Sequence, residues 1–216
     1  CYSAHSEVKK LNRLAENRLI MAEKLSVAAK HWAGGRYPLE RYTEGWKKVL
    51  FNQFHDIMAG TSIEPAYEDA RESYGAALDT AAKGLNAAVQ SISWHINIPV
   101  EDGMKPVVVF NPNSFPGKFE VEMESPNLKE NQILVDEEGK QIPLQQVQPL
   151  ASSNGRTRLV FIADLPAMGY RTYRLVIRET AHAFPYVEST DTTAENRWFK
   201  IAFDEKTGYI LSLIHI

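Results

Sequence analysis

The apolar residues of this chain change period near residue 100, and that change limits the folds open to it. From about Ser6 to Trp32 they recur at Leu11, Leu14, Met21, Leu25, Ala28 and Trp32. Steps of three, four and seven mark one face of a helix. Gly34-Gly35 ends this helix. A second runs from Pro38 or Leu39 with Trp46, Leu50 and Phe54 one turn apart. A third opens at Glu64-Pro65, where proline suits the first helical position, and continues towards Trp94. Three helices with short connections predict an antiparallel bundle.

Beyond residue 100 the period is two. Phe119, Val121 and Met123 alternate with Glu120, Glu122 and Glu124, a strand with one wet face. Val107–Phe110 is a short continuous apolar run, read as a strand buried on both faces. Leu159, Phe161, Tyr173, Leu175 and Ile177 keep the alternation, and Asn154-Gly155 signals a hairpin. Composition moves with the period: residues 1–100 hold fifteen Ala and three Pro, residues 101–216 seven Ala and eight Pro. Alanine favours helix interiors and proline is excluded from them. The fold class expected is therefore α+β in two domains. Residues 1–98 form a three-helix bundle, and residues 99–216 an incomplete antiparallel β-sandwich-like region.

Several functional classes drop out. Twenty-four basic and twenty-seven acidic residues leave a net charge of −3, without the basic excess that duplex binding uses, so no nucleic-acid partner is expected. No stretch reaches the roughly 18 apolar residues of a membrane helix. A lone cysteine, Cys1, allows neither an internal disulfide nor a cysteine zinc cluster. No Gly-x-Ser-x-Gly elbow, phosphate loop or dinucleotide fingerprint is present. Without an initiator Met or a leader, the chain reads as a piece of a longer protein. Leu211–Ile216 spells what a sequencing-library transposon end encodes in frame, which marks it as an artefact in part or whole.

Chemistry concentrates in Asn52-Gln-Phe-His-Asp-Ile-Met-Ala-Gly-Thr-Ser62. Gln53, His55 and Asp56 fall where the pattern predicts a buried or half-buried helix end. Imidazole beside carboxylate suits a metal or sugar hydroxyls. On spacing alone the structural reading stays open and ahead: His55 donates a hydrogen bond, Asp56 caps the next turn and Gly60 terminates the helix. His5, His31, His95 and His182 are scattered and read as surface or packing groups. Trp32, Trp46, Trp94 and Trp198 could stack on sugars, but at helical spacing they read as core.

The run Trp46–Ile63, followed by Ala66-Tyr-Glu-Asp-Ala70, resembles the helical middle domain of glycoside hydrolase family 38 α-mannosidases. Lys10-Leu-Asn-Arg13 is similar to that domain's first helix. Val107–Pro112 with Ser114-Phe-Pro116, then Asp164–Tyr170 and Glu195-Asn-Arg-Trp198, resemble later landmarks in the family's order. The resemblance implies a retaining α-mannosidase with one zinc ion. It makes His55 one of four protein zinc ligands and Asp56 a contact to hydroxyls of a mannoside or oligosaccharide substrate. The remaining ligands, the nucleophile and the acid/base are then expected in an N-terminal barrel upstream of these residues. No membrane partner is expected, and self-association is left open. The absence of an Asn-x-Ser/Thr acceptor and the single cysteine lean towards a bacterial cytoplasmic protein. A mannosylglycerate-type hydrolase and a non-catalytic carbohydrate-binding or assembly module are the competing readings.

Overall fold

The structure, a computed structural model, describes residues 3–126, 131–147, 156–178 and 187–216. The chain divides into two units, Cys1–Ile98 and Pro99–Ile216. Cys1, the Asn154-Gly155 turn and His182 lie outside the described residues.

In the first unit three long helices run α1 (Ser6–Trp32), α2 (Leu39–Phe51) and α4 (Glu64–Ser93), with a five-residue α3 (His55–Ala59) between the last two. The buried seam of α1 is Val8, Asn12, Ala15, Leu19, Ala22, Ser26 and Ala29, an unbroken alternation of four and three. The seam of α4, Tyr67, Ala70, Tyr74, Ala77 and Ala81, then Ala88 and Ile92, keeps the same rhythm. Contacts between Glu7 and Arg71, Asn12 and Tyr74, and Ala33 and Ser91 show that α1 and α4 run in the same direction. Helix α2 runs against both, as Tyr42 meets Ser26 and Gln53 meets Asn12.

The helices fall where the period placed them, but the inward face of α1 differs from the row of large apolar residues. Leu14 and Trp32 are exposed, and of that row only Leu25 is fully buried. Three of the seven seam residues are alanines and a fourth is Ser26. Small side chains let backbones approach, and large ones then fit only at the margins. Gly45 and Gly84 carry the same logic. A Cβ on Gly45 would sit 3.2 Å from Leu19 Cδ2, and one on Gly84 only 2.1 Å from the Tyr42 hydroxyl. Tyr42 is fully buried, its hydroxyl 2.7 Å from that of Ser26 and donating to the Ala22 carbonyl at 3.3 Å. On α2 the buried residues are Tyr42, Gly45 and Val49, with Trp46 half-buried, so Leu50 and Phe54 point outward, contrary to the expected row.

This seam makes a direct prediction. Leu19→Ala removes a fully buried side chain where α2 packs on α1 and should cost about 2–5 kcal/mol. Leu14→Ala, on the same helix but 38% exposed, should cost less, about 1 kcal/mol. Urea unfolding followed by helical circular dichroism separates the two. Equal losses would show that the seam is misplaced.

The second unit is antiparallel throughout. One sheet has the order β1 (Lys105–Asn111), β7 (Gly169–Ile177), β3 (Gln132–Val135), β4 (Gln141–Ile142). A second has β2 (Gly117–Pro126), β6 (Arg156–Leu165), β5 (Leu144–Val147). Leu134, Tyr173 and Leu175 from the first meet Leu144, Leu159, Phe161, Ala163 and Leu165 from the second in one core. This is the two-layer logic of a sandwich. Val107–Phe110 is half-buried rather than fully enclosed, because β1 is the edge of its sheet. A third sheet, β11 (Ile210–His215), β10 (Phe199–Phe203), β9 (Thr193–Glu195), β8 (Glu188–Ser189), leaves every β11 residue exposed. The fold is thus a small helical bundle followed by open β-sheets, an incomplete sandwich. No helix is long and apolar enough to cross a membrane among the described residues.

Candidate functional site at the break between two helices

Helix α2 stops at Phe51 because the chain turns on its own polar groups. The buried Asn52 side chain donates back to the Lys48 carbonyl at 2.7 Å, a local bond that competes with helix continuation. The Gln53 and Phe54 amides then bond three residues back, to Leu50 and Phe51. Phe54 is extended (φ −53°, ψ 139°), and its carbonyl receives the Ile57 and Met58 amides, starting α3. Gly60 ends α3 at φ +82°, and a Cβ there would lie 2.8 Å from Ala4. A left-handed turn and a close neighbour both call for glycine.

This reversal corrects the expected burial of His55 and Asp56. Their side chains are 79% and 53% exposed. The extended Phe54 swings both outward and sends Ile57 into the core. Among the described residues the His55 imidazole meets its own neighbours, the Phe54 ring at 4.2 Å and Asp56 Oδ1 at 3.7 Å from Nε2. The structural hydrogen bond contemplated for His55 is not among these contacts. Asp56 does help to close the turn. Its Oδ1 accepts from the Thr61 hydroxyl at 3.4 Å, and its carbonyl accepts from the Thr61 amide at 3.1 Å.

Gln53 points the other way, into the bundle. Its Nε2 donates to Asn12 Oδ1 at 3.2 Å and to Glu16 Oε1 at 2.8 Å. The fully buried Tyr74 donates to the same Asn12 oxygen at 3.1 Å. Burial, reinforced by the nearby Glu16 carboxylate, pushes the Tyr74 phenol up to about 12. Glu16 Oε2 is buried and lies 3.0 Å from Arg13 Nη1, close enough for an ion pair but out of line for a hydrogen bond. Behind the turn, the buried Tyr67 donates to the Asp56 carbonyl at 3.2 Å and accepts from the Ser62 amide at 3.0 Å. Its ring stacks on His5 at 3.7 Å.

No local pattern in the sequence assigns Asn12, Glu16, Tyr67 or Tyr74 to this turn. The one available signal is Asn12, an amide in a seam whose other residues are alanine, valine, leucine and serine. Three of the four tryptophans also depart from expectation: Trp32, Trp94 and Trp198 are exposed, and only Trp46 turns towards the core, donating to Glu23. Trp32 and Trp94 sit beyond the last seam positions, Ala29 and Ile92, where the packed layer has ended. A groove of about 1160 Å³, lined by Tyr37, Arg41, Asp79 and Lys83 among others, lies at the opposite end of the bundle and contains neither His55 nor Asp56.

The comparisons with known proteins bear on the same residues. The family model described as the α-mannosidase middle domain matches residues 1–92. Residues 1–92 belong to that family of α-mannosidase middle domains. The His55-Asp56 turn lies inside the matched stretch. Alpha-mannosidase 2C1 of Homo sapiens is 35% identical over 94 residues, 40% of this chain and 9% of that protein. The Mus musculus protein of the same name is 38% identical over 74 residues, 34% of this chain and 7% of its own length. The α-mannosidase of Saccharomyces cerevisiae is 37% identical over 71 residues, 31% of this chain and 6% of its own. The matched stretches thus span less than a tenth of these relatives.

Two solved structures share the fold over 97% of this chain. One is an α-mannosidase from Enterococcus faecalis V583 (TM-score 0.68, 19% identity, 29% of that chain). The other is a glycosyl hydrolase family 38 protein from Enterococcus faecalis (TM-score 0.70, 18% identity, 30% of that chain). Their likeness extends past the helical bundle and supports the helical-then-β order of the fold.

The residues present fit zinc in one respect. An exposed imidazole with no strong internal partner offers a free nitrogen lone pair, as zinc requires. No group of three or more His, Cys, Asp or Glu side chains placed to hold a metal occurs among the described residues. His55 is therefore suited to be one ligand of a shared site, not the centre of a site of its own.

Proposed function

We propose that this chain is part of a zinc-dependent retaining α-mannosidase acting on terminal α-mannosyl residues. His55 would supply one zinc ligand and Asp56 a hydrogen bond to the sugar. The other ligands and both reacting carboxyl groups would come from a barrel domain of the same polypeptide. The observation carrying this reading is the turn itself: within an α-mannosidase middle domain, a helix break turns imidazole and carboxylate outward together. Buried tyrosine and glutamine contacts hold its backbone from behind.

The division of labour follows from the chemistry. A retaining glycosidase needs two carboxyl groups about 5 Å apart, and among the described residues His55 has one carboxylate beside it, that of Asp56. Zinc held by His55 and the barrel's ligands, with a position left open, would supply Lewis-acid contact to the sugar's hydroxyls. Asp56 keeps most of its acceptor capacity, because Thr61 takes up only Oδ1, and at the long distance of 3.4 Å.

Metal removal tests the reading. Dialysis of the complete polypeptide against a chelator should abolish hydrolysis of an aryl α-mannoside, and zinc should restore it. Full activity in protein shown to be metal-free would end the zinc assignment. The 216-residue chain by itself should hydrolyse nothing measurable.

A further inference from the structure

Residues 52–54 connect two helices without belonging to either. Each such residue carries two soft torsions, so side chains beyond the break have a defined direction only if the break is tied to something rigid. The tie on the upstream side is Gln53. We propose that Gln53 is the positioning residue of this site: through Asn12 and Glu16 it clamps the break onto α1 and sets the direction in which His55 and Asp56 leave the bundle. The assignment rests on the reading of His55 as a metal ligand.

Three observations support it. Nε2 of the Gln53 amide meets two acceptors one helical turn apart in α1, so the side chain is held at two points of that helix. One acceptor is a carboxylate, and that bond is the shorter, as a charge-assisted bond should be. The other, Asn12 Oδ1, is buried and held by the fully buried Tyr74. In such surroundings water is a poor substitute partner and bonds are stronger than at the surface. A polar residue in an apolar helix seam weakens the seam unless it specifies something. Asn12 specifies where Gln53 docks. Tyr67 secures the downstream side through the Asp56 carbonyl and the Ser62 amide. His55 therefore stands between two anchored points.

The residue type is demanding. Glutamate at position 53 would present acceptors to acceptors and bring two carboxylates together. Methionine would fill the space and tie nothing. The test is a reversal of the pair in the complete polypeptide, read by zinc titration against a competing chelator. Gln53→Glu should weaken zinc binding about 10- to 100-fold, the usual cost of losing a group that orients a ligand. Adding Glu16→Gln rebuilds the N–H···O⁻ bond in the opposite sense, with the Asn12 amide turned over to donate. Zinc affinity should return to within about threefold of the parent, a rescue that a purely structural role for either residue would not produce.

A second readout uses the 216-residue chain. In Gln53→Glu, hydrogen exchange at the Met58 and Thr61 amides, which close α3 and its turn, should quicken at least about tenfold, with the α1 seam amides unchanged. If Gln53→Glu does not fold, Gln53→Met is read in the same two ways. Unaltered zinc affinity with unaltered exchange overturns the proposal, and so does a folded double variant that fails to recover. Faster exchange and rescue of exchange, combined with a His55→Ala protein that keeps its zinc, would retain the clamp and remove the metal reading.

Discussion

Replacing His55 with alanine in the complete polypeptide should cost most of the bound zinc and, with it, most of the α-mannosidase activity. Losing a group that merely orients a ligand costs 10- to 100-fold in metal affinity, so losing a ligand itself should weaken zinc binding by more than about 100-fold. The substitution separates binding from folding because the side chain contributes little packing. At 79% exposure, with the Phe54 ring and Asp56 as its neighbours among the described residues, its removal should change stability by less than about 0.5 kcal/mol. Phe54 sets the outward path through its backbone, and alanine at position 55 leaves that backbone in place. Metal analysis of the purified variant, beside kcat/KM on an aryl α-mannoside, decides the matter. One equivalent of zinc retained would remove His55 from the ligand set.

The sequence made some features of this site legible and hid others, for identifiable reasons. Helix limits could be read because glycine and proline act locally: Gly34-Gly35 and Glu64-Pro65 stand at the ends of α1 and α4. The inward face of α1 could not be read from large apolar residues. Ala15, Ala22 and Ala29, with Asn12 and Ser26, share the seam with Val8 and Leu19, whereas the row of Leu11, Leu14, Met21 and Trp32 follows its margin. The same habit placed Leu50 and Phe54 inside and His55 beside them. The break at Asn52 depends on a side-chain bond to Lys48 and on Gln53 reaching residues 37 and 41 positions earlier, which no local pattern reveals.

The β region shows the same contrast between local and distant information. Alternation correctly set Leu159, Phe161, Tyr173 and Leu175 facing the core. It could not show that the Asn111-Pro-Asn113 and Pro166–Gly169 segments meet. Asn111 donates to the Phe115 and Pro166 carbonyls at 2.9 and 2.8 Å, and the Met168 amide donates to Asn113 at 2.7 Å. Two landmarks that had looked independent therefore form one corner where β1 and β7 pair.

Asp56→Asn in the complete polypeptide should leave zinc content unchanged and lower kcat/KM by roughly 10- to 100-fold, corresponding to the roughly 1.5–3 kcal/mol of a hydrogen bond to a charged group. The side chain can be altered without moving the turn, because the backbone of Asp56 is held separately. Its carbonyl accepts from the Tyr67 hydroxyl and the Thr61 amide, neither of which involves the carboxylate. Asparagine keeps the shape and one acceptor oxygen but turns the other into a donor and removes the charge that favours a sugar hydroxyl as partner. The weak Oδ1 contact to Thr61 supplies the control. Thr61→Val deletes it, together with the hydroxyl's 3.5 Å approach to the Asp56 carbonyl, and should change kcat/KM less than about threefold. A thermal midpoint within about 2 °C of the parent would confirm that the Asp56→Asn protein is intact. A kcat/KM within twofold of the parent would show that the Asp56 carboxylate does not touch the sugar in the rate-determining complex. A loss of zinc would instead assign the carboxylate to the metal, through the 3.7 Å approach of its Oδ1 to His55 Nε2.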